Sequence, residues 1–195
     1  MTLAKYKEKR HFNETPEPEG VETGGGNALK FVVQRHDATQ LHYDFRLEME
    51  GVLKSWAVPK GPSLDPHIKR LAMMVEDHPY DYRTFEGVIP KGNYGAGIVE
   101  IWDEGTYTSE PELDRSKGEK LLLSELEKGE IKFVLHGKKL KGSWALVKTH
   151  GMGENAWLLI KHHDEYAVEG YNAEEHVSPD SPINENRAIK KKSAR

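Results

Sequence analysis

Residues 41–48 read LHYDFRLE, and this alternation constrains the fold more than any other feature. Leu41, Tyr43, Phe45 and Leu47 interleave with His42, Asp44, Arg46 and Glu48. A period of two sends successive side chains to opposite faces of a strand, whereas on a helix the same residues fan around the axis. The segment is therefore predicted to be a strand with its apolar face in a core and its polar face lining a cleft, a barrel lumen or solvent. Similar apolar runs follow. KFVVQRH (30–36) precedes it, and VLKSWAVP (52–59) returns after an EMEG turn (48–51) and stops at Pro59-Lys60-Gly61-Pro62. RLAMMVE (70–76), IVEIWDEGTYT (98–108), IKFVLHG, GSWALVKT and AWLLIKH give further strands, while GVIPKGNYGAG (87–97) is expected to be a Gly-punctuated loop. Only SKGEKLLLSELEKG (116–129) has convincing helical character, with Gly129 as its stop. The chain shows no internal repeat. Many short strands between Gly/Pro turns predict an all-β class, a barrel or sandwich.

Two flanking segments differ in character. Residues 1–28 carry Lys5, Lys7, Lys9 and Arg10, then TPEPEG and GGG, and are expected to form a basic, flexible arm able to touch a phosphate backbone. Residues 29–167 would form the β domain, and the polar stretch 168–195, ending IKKKSAR, would be a mobile tail. At 195 residues, 36 % hydrophobic and 31 % charged, the chain can bury a real core and is not disordered by composition. A net charge of −4 leaves no global nucleic-acid footprint, so any such surface must be local. The absence of cysteine excludes disulfides, thiolate nucleophiles and thiolate metal sites, so a metal must be held by histidine and carboxylate. No apolar run approaches the roughly 20 residues of a membrane span, and MTLAKYKEKRHF lacks the apolar segment of a signal peptide. A cytoplasmic location is expected.

The stretch QRHDATQLHYDFR (34–46) concentrates chemistry. On a strand His42, Asp44 and Arg46 share one face at steps of about 7 Å. Neighbouring imidazole and carboxylate can close on one ion, and His36 on the preceding strand or turn can supply a third ligand. Two imidazoles and one carboxylate suit Mn, Fe or Zn. Arg46 offers a planar fork for phosphate or carboxylate. In VEDHPYDYRTFEG (75–87), His78 precedes a proline and is expected in an extended or turn conformation. It and Tyr82 can both donate to a phosphate oxygen, or Tyr82 can simply pack. Lys60 and Lys91 sit in two Pro/Gly-framed turns, as anion contacts or solvated lysines. GNYGAG lacks the Gly-Lys-Ser/Thr ending of a P-loop and the strand–helix setting of a dinucleotide site. His162-His163 is expected at the surface. Two rival readings stay open: a non-haem iron oxygenase using His42, Asp44 and a distant histidine such as His136, and a non-catalytic barrel that binds nucleic-acid ends.

The segments FVVQRHDATQLHYDFRLEMEGVLKSWAVPKGPSLDPHIKRLA, VEDHPYDYRTFEGVIPKGNYGAG and IWDEGTY, together with KRHFNETPEPEG and LHGKKLKGSWALVKT, resemble the 3′-phosphoesterase domain of bacterial DNA ligase D. The resemblance runs over nearly all of residues 5–163. It implies a compact β-barrel of short antiparallel strands with one or two short helices and its site in a groove. It implies a manganese-dependent enzyme, with zinc or cobalt also suited to the ligands. Such an enzyme first removes a terminal ribonucleoside from a DNA primer-template, leaving a 3′-phosphate, and then removes that phosphate to expose a 3′-hydroxyl. The metal ligands would be His36, His42 and Asp44, the phosphate-contacting arginine Arg46, and the other essential pair His78 and Tyr82. Lys60, Arg70, Arg10, His11 and Glu17 would take weaker substrate-binding roles. His11 is a departure, since the family commonly reads KRDF where this chain has KRHF, which bears on the balance of the two activities. The family usually occurs fused to an ATP-dependent ligase and a polymerase. This sequence shows neither, so it looks like a stand-alone form, expected to serve separate partners of those kinds.

Overall fold

The computed structural model describes residues 3–21 and 24–194. Among them nine strands form: β1 Leu29–Asp37, β2 Leu41–Met49, β3 Val52–Val58, β4 Lys69–Pro79, β5 Gly87–Ile89, β6 Gly97–Ser109, β7 Glu130–Gly137, β8 Lys141–Lys148 and β9 Ala156–Lys161. All pairings are antiparallel, in the order β1-β2-β3-β4-β9-β8-β7-β6, and β6 pairs back onto β1. Eight strands thus close a barrel, and β5 is a short addition to the start of β6. Closure removes the edges that would otherwise offer unpaired backbone to other chains. β5 lies where only a loop was expected.

Two connections set the register on which the site depends. β2 and β3 are joined through Glu50 and Gly51, both at positive φ (50° and 76°), with Met49 opposite Val52. That is the two-residue turn whose twist suits a hairpin. Between β1 and β2 the hairpin pairs His36 with His42 and Gln34 with Asp44. Residues six and ten apart in sequence therefore become direct cross-strand neighbours.

The odd residues of β2 point into the lumen. Tyr43, Phe45 and Leu47 are at most 1 % exposed and join Trp56, Phe133 and Trp144 in the main core. The even residues are not left open to solvent, because Asp44, Arg46 and Glu48 are buried as well. Much of the cover over the outer face comes from the segment expected to be a flexible arm. Helix α1 (Ala4–Glu8) plants Tyr6, 0 % exposed, in a second apolar cluster with Leu53, Tyr80, Tyr82, Phe85 and Ile89. The basic residues concealed this outcome, since one aromatic anchor is enough to seat a short segment when a cavity awaits it.

The expected tail is also structured. A 3-10 turn (Ala173–His176) leads into α3 (Pro182–Ser193), whose N-terminus is capped by Ser181 Oγ accepting from Asn184 N–H. Tyr171, Ala173 and Ile183 are buried, and the first two belong to the main core. Helix α2 (Arg115–Lys128) forms where expected. Asp114 caps its start, and Gly129 at φ 85° ends it in the left-handed conformation that glycine adopts without strain. No helix among the described residues is long and apolar enough to cross a membrane.

Candidate metal and phosphate site

The site is built on the outer face of the β1–β2 hairpin. His36 Nδ1 lies 3.5 Å from Asp44 Oδ2, and His42 Nε2 lies 3.3 Å from the same oxygen. One ligand atom from each of the three residues falls within 4.8 Å of the others, the one such group among the described residues. Ligands bonded at about 2 Å around a shared ion stand about 3–3.5 Å apart, so the donor set fits a metal. The remaining ring nitrogens support this. His36 Nε2 donates to Gly95 O at 2.7 Å, and His42 Nδ1 to Gln40 O at 3.1 Å. Each imidazole is thereby held in the tautomer whose lone pair faces Asp44, which is how outer contacts orient metal-binding histidines.

Arg46 lies beside this group, anchored rather than free. Its Nε donates to Gln34 Oε1 at 2.7 Å and its Nη1 to Ser55 Oγ at 2.9 Å, while Nη2 faces Asp44 Oδ2 at 3.5 Å. A guanidinium carries five N–H donors, so donors remain for an anion. Gln34 is fixed in turn by donating to the carbonyls of Tyr82 and Phe85. Burial opposes charge on Asp44, but Arg46 and the two imidazoles outweigh it and hold the carboxyl well below the usual carboxylate range. Burial also disfavours protonation of His42, yet Asp44 raises it overall.

The opposite wall comes from β4 and the N-terminal segment. Of the extended and turn conformations expected for His78 the structure has the extended one, within β4, where the residue is paired with Leu53 and buried. Extended backbone satisfies the residue before a proline in a strand as well as in a turn. A register shift opposite Leu53 and Ser55 inserts an extra β4 residue, and Val75, Glu76 and His78 all reach the pocket. Nδ1 of His78 donates to Glu76 O at 3.0 Å, and Nε2 accepts from Arg10 Nη2 at 3.4 Å. Burial, then Arg46 and Arg10, hold its pKa well below the ordinary value, so it is neutral near pH 7.

Tyr82 sits in a 3-10 turn (Tyr80–Thr84), with Arg46 over its ring at 4.8 Å. Its hydroxyl donates to Glu17 Oε2 at 2.8 Å. Burial and Glu17 push that hydroxyl well above its ordinary pKa. The same Glu17 carboxylate accepts from Arg10 Nε at 2.8 Å and from Thr15 Oγ1 at 3.1 Å. Glu17 therefore stands behind the pocket and fixes Arg10 and Tyr82.

The hairpin, β4 and the N-terminal segment bring His36, His42, Asp44, Arg46, His78 and Tyr82 together around one pocket. Arg10 lines it too, whereas Lys60, Arg70, His11 and Lys91 do not. Lys60, His11 and Lys91 are exposed in turns, and Arg70 Nε donates to Gly61 O, buttressing the turn after β3. Two polar side chains of the lining escaped sequence reasoning. Glu76 accepts from Lys9 at 3.1 Å and lies 3.7 Å from Arg10 Nη1. Tyr94 projects from the loop before β6. The one available signal was their place in motifs already singled out, beside His78 and within GNYGAG. His136, needed by the oxygenase reading, is on β7 and bound to Glu112 at 3.2 Å, outside the metal-competent group.

A family model for the DNA ligase D 3′-phosphoesterase domain matches residues 34–148. A multifunctional non-homologous end joining protein LigD of Pseudomonas aeruginosa is 52 % identical over 165 residues, covering 83 % of this chain and 19 % of its own length. The LigD of Mycobacterium bovis is 45 % identical over 159 residues (80 % and 19 %), and that of Mycolicibacterium smegmatis 44 % over 169 residues (84 % and 21 %). The chain spans about a fifth of the length of these relatives.

Proposed function

The chain belongs to the DNA ligase D 3′-phosphoesterase domain family, and from that premise we propose that it is a metal-dependent hydrolase that heals DNA 3′ ends during end joining. In this reading it acts twice on a primer-template. It cleaves the phosphodiester to a terminal ribonucleoside, leaving a 3′-phosphate, and then hydrolyses that monoester to a 3′-hydroxyl. An ATP-dependent ligase and a polymerase would use the product. The observation that carries the proposal is the His36–His42–Asp44 group opening into one pocket with Arg46, Arg10 and His78.

The three ligands would hold Mn2+, with Zn2+ or Co2+ as alternatives, and the ion would supply Lewis-acid polarisation of a phosphate oxygen. Arg46 and Arg10 both line the pocket and would bind the remaining oxygens, where charge accumulates as the phosphorus is attacked. Because both guanidiniums are already fixed by Gln34, Ser55 and Glu17, little reorganisation is needed on binding. His78 is neutral, and its Nε2 accepts from Arg10 Nη2, so it helps to hold that guanidinium at the pocket. Tyr82 orients Arg46 from below. His11 lies exposed within the N-terminal segment, next to the pocket residue Arg10, and stands where the family commonly has an aspartate, a difference that would bear on the diester step. Backbone phosphates give binding that weakens with salt and reads little base sequence.

The test uses a 5′-labelled primer-template ending in one ribonucleotide, with Mn2+ or with EDTA. Metal-dependent shortening to a 3′-phosphate and then a 3′-hydroxyl is expected. Conversion of a ready-made 3′-phosphate alone would restrict the enzyme to the monoester step. No turnover with Mn2+, Zn2+ or Co2+ would overturn the proposal.

A further inference from the structure

One pocket residue has no part in holding metal or phosphate. Tyr94 lines the pocket, yet it is 48 % exposed and belongs to neither apolar cluster. Its neighbours are cations: Lys9 Nζ lies 4.6 Å from the ring centroid and Arg10 Cζ 5.5 Å. Lys9 also donates to the Tyr94 hydroxyl at 3.4 Å. A large ring left half in water at the lip of a polar pocket is surface that a ligand can cover.

The loop that carries the ring is well defined. Asn93 N–H donates to Pro90 O at 3.2 Å and Ala96 N–H to Asn93 O at 3.1 Å, and Gly92 and Gly95 take positive φ (88° and 74°). The next carbonyl along, that of Gly95, is the one that holds His36. The aromatic face and the metal-ligand imidazole are therefore positioned by one short piece of backbone.

We propose that Tyr94 is a stacking platform for the nucleobase at the 3′ terminus, an inference that rests on the phosphoesterase reading. Bases inside a duplex have both faces covered by neighbours, and only the terminal base offers a free face outward. An aromatic ring at the pocket lip meets that face while the adjoining phosphate lies between Arg46 and Arg10. Every base has such a face, so the platform selects a nucleoside end without selecting its sequence. Lys9 on the ring adds a cation near the phosphate without filling the pocket itself.

The experiment compares two primer-templates, one ending in an ordinary ribonucleotide and one in a ribose that lacks its base. The proteins are the full chain, Tyr94→Ala, Tyr94→Phe and Tyr94→Trp. The full chain should lose about 5- to 100-fold in kcat/KM when the base is removed, mainly through KM. Tyr94→Ala should show that loss on the ordinary end and little further loss on the baseless one, while the Phe and Trp variants stay near the full chain. Equal sensitivity to base removal in Tyr94→Ala and the full chain would overturn the inference, and so would a Phe variant as impaired as Ala. Mn2+ affinity by calorimetry supplies the second readout. A parallel fall in Tyr94→Ala would mean that the ring shapes the metal centre, which also overturns it. Failure of the full chain on every end defeats the phosphoesterase reading itself, whereas normal turnover without base dependence defeats only the platform.

Discussion

Asp44 is where charge, burial and metal chemistry meet, and its neighbours show why substitutions there differ in kind. Asp44→Ala removes the oxygen shared by both histidines. It is expected to abolish Mn2+ binding in a calorimetric titration and turnover with it, while the far-ultraviolet circular dichroism keeps its β signature. Arg46→Lys keeps the charge but loses the fork that donates to Gln34 and Ser55. One lost charge-assisted bond is worth about 1.5–3 kcal/mol, so kcat/KM should drop by about 10- to 100-fold. A near-normal rate would remove Arg46 from the phosphate. His78 supports a prediction about pH. Its folded pKa lies well below the free value of about 6.5, so the unfolded chain binds a proton that the folded chain refuses. The sign follows: this contribution to stability is full above about pH 6.5 and is lost as pH falls toward the folded value. Melting curves in EDTA at pH 7.5 and 5.5 should show a smaller acid-induced loss for His78→Gln than for the unaltered chain.

Among elements, the N-terminal segment is the one whose role sequence patterns misrepresented. Its lysines and prolines suggested an arm, but Tyr6 is fully buried, and Arg10 lines the pocket with Glu17 bracing it from behind. Tyr6→Ala is expected to loosen this segment while the barrel stays closed. Amide exchange should accelerate in residues 4–18 and remain slow in β2 and β7, and kcat/KM should fall further than in Arg10→Ala. Matching losses would show that the segment acts through Arg10 alone. The strands were legible because a period of two is a local property. The β4 register shift was not, since a bulge depends on the partner strand, and it accompanies the arrival of Val75 in the same pocket as Glu76 and His78. Gly97 illustrates the same dependence: a Cβ there would meet Asp37 O at 2.0 Å, a contact that exists only because β6 folds back on β1.

The whole molecule is a barrel covered on one outer face by its beginning and steadied by residues from its end. Glu174 accepts from Arg35 Nε and Nη2 at 2.8 and 2.9 Å and from the Tyr43 hydroxyl. Arg35 adjoins His36 in the chain, and Tyr43 lies between His42 and Asp44. Ser181 and Asn184 also bind Arg35, and Glu100 completes its surroundings. Glu174→Ala is expected to cost about 1–2 kcal/mol in urea melts, less than a fully buried pair because its side chain is 41 % exposed. A loss within error would mean that Glu100, Ser181 and Asn184 suffice for Arg35. The sequence by itself determined the all-β class, the positions of most strands, the α2 helix with its Gly129 stop and the grouping of His36, His42 and Asp44, which could hold a metal. Each of these is written in spacing over a few residues or in a hairpin short enough to be local. Tertiary structure alone decided that both ends of the chain pack onto the barrel, that Glu17 braces the pocket from behind, and that Lys60, Arg70, His11 and Lys91 stay outside it. Those outcomes depend on which distant surfaces exclude water together, and the residues concerned lie far apart in the chain with no periodicity to announce them.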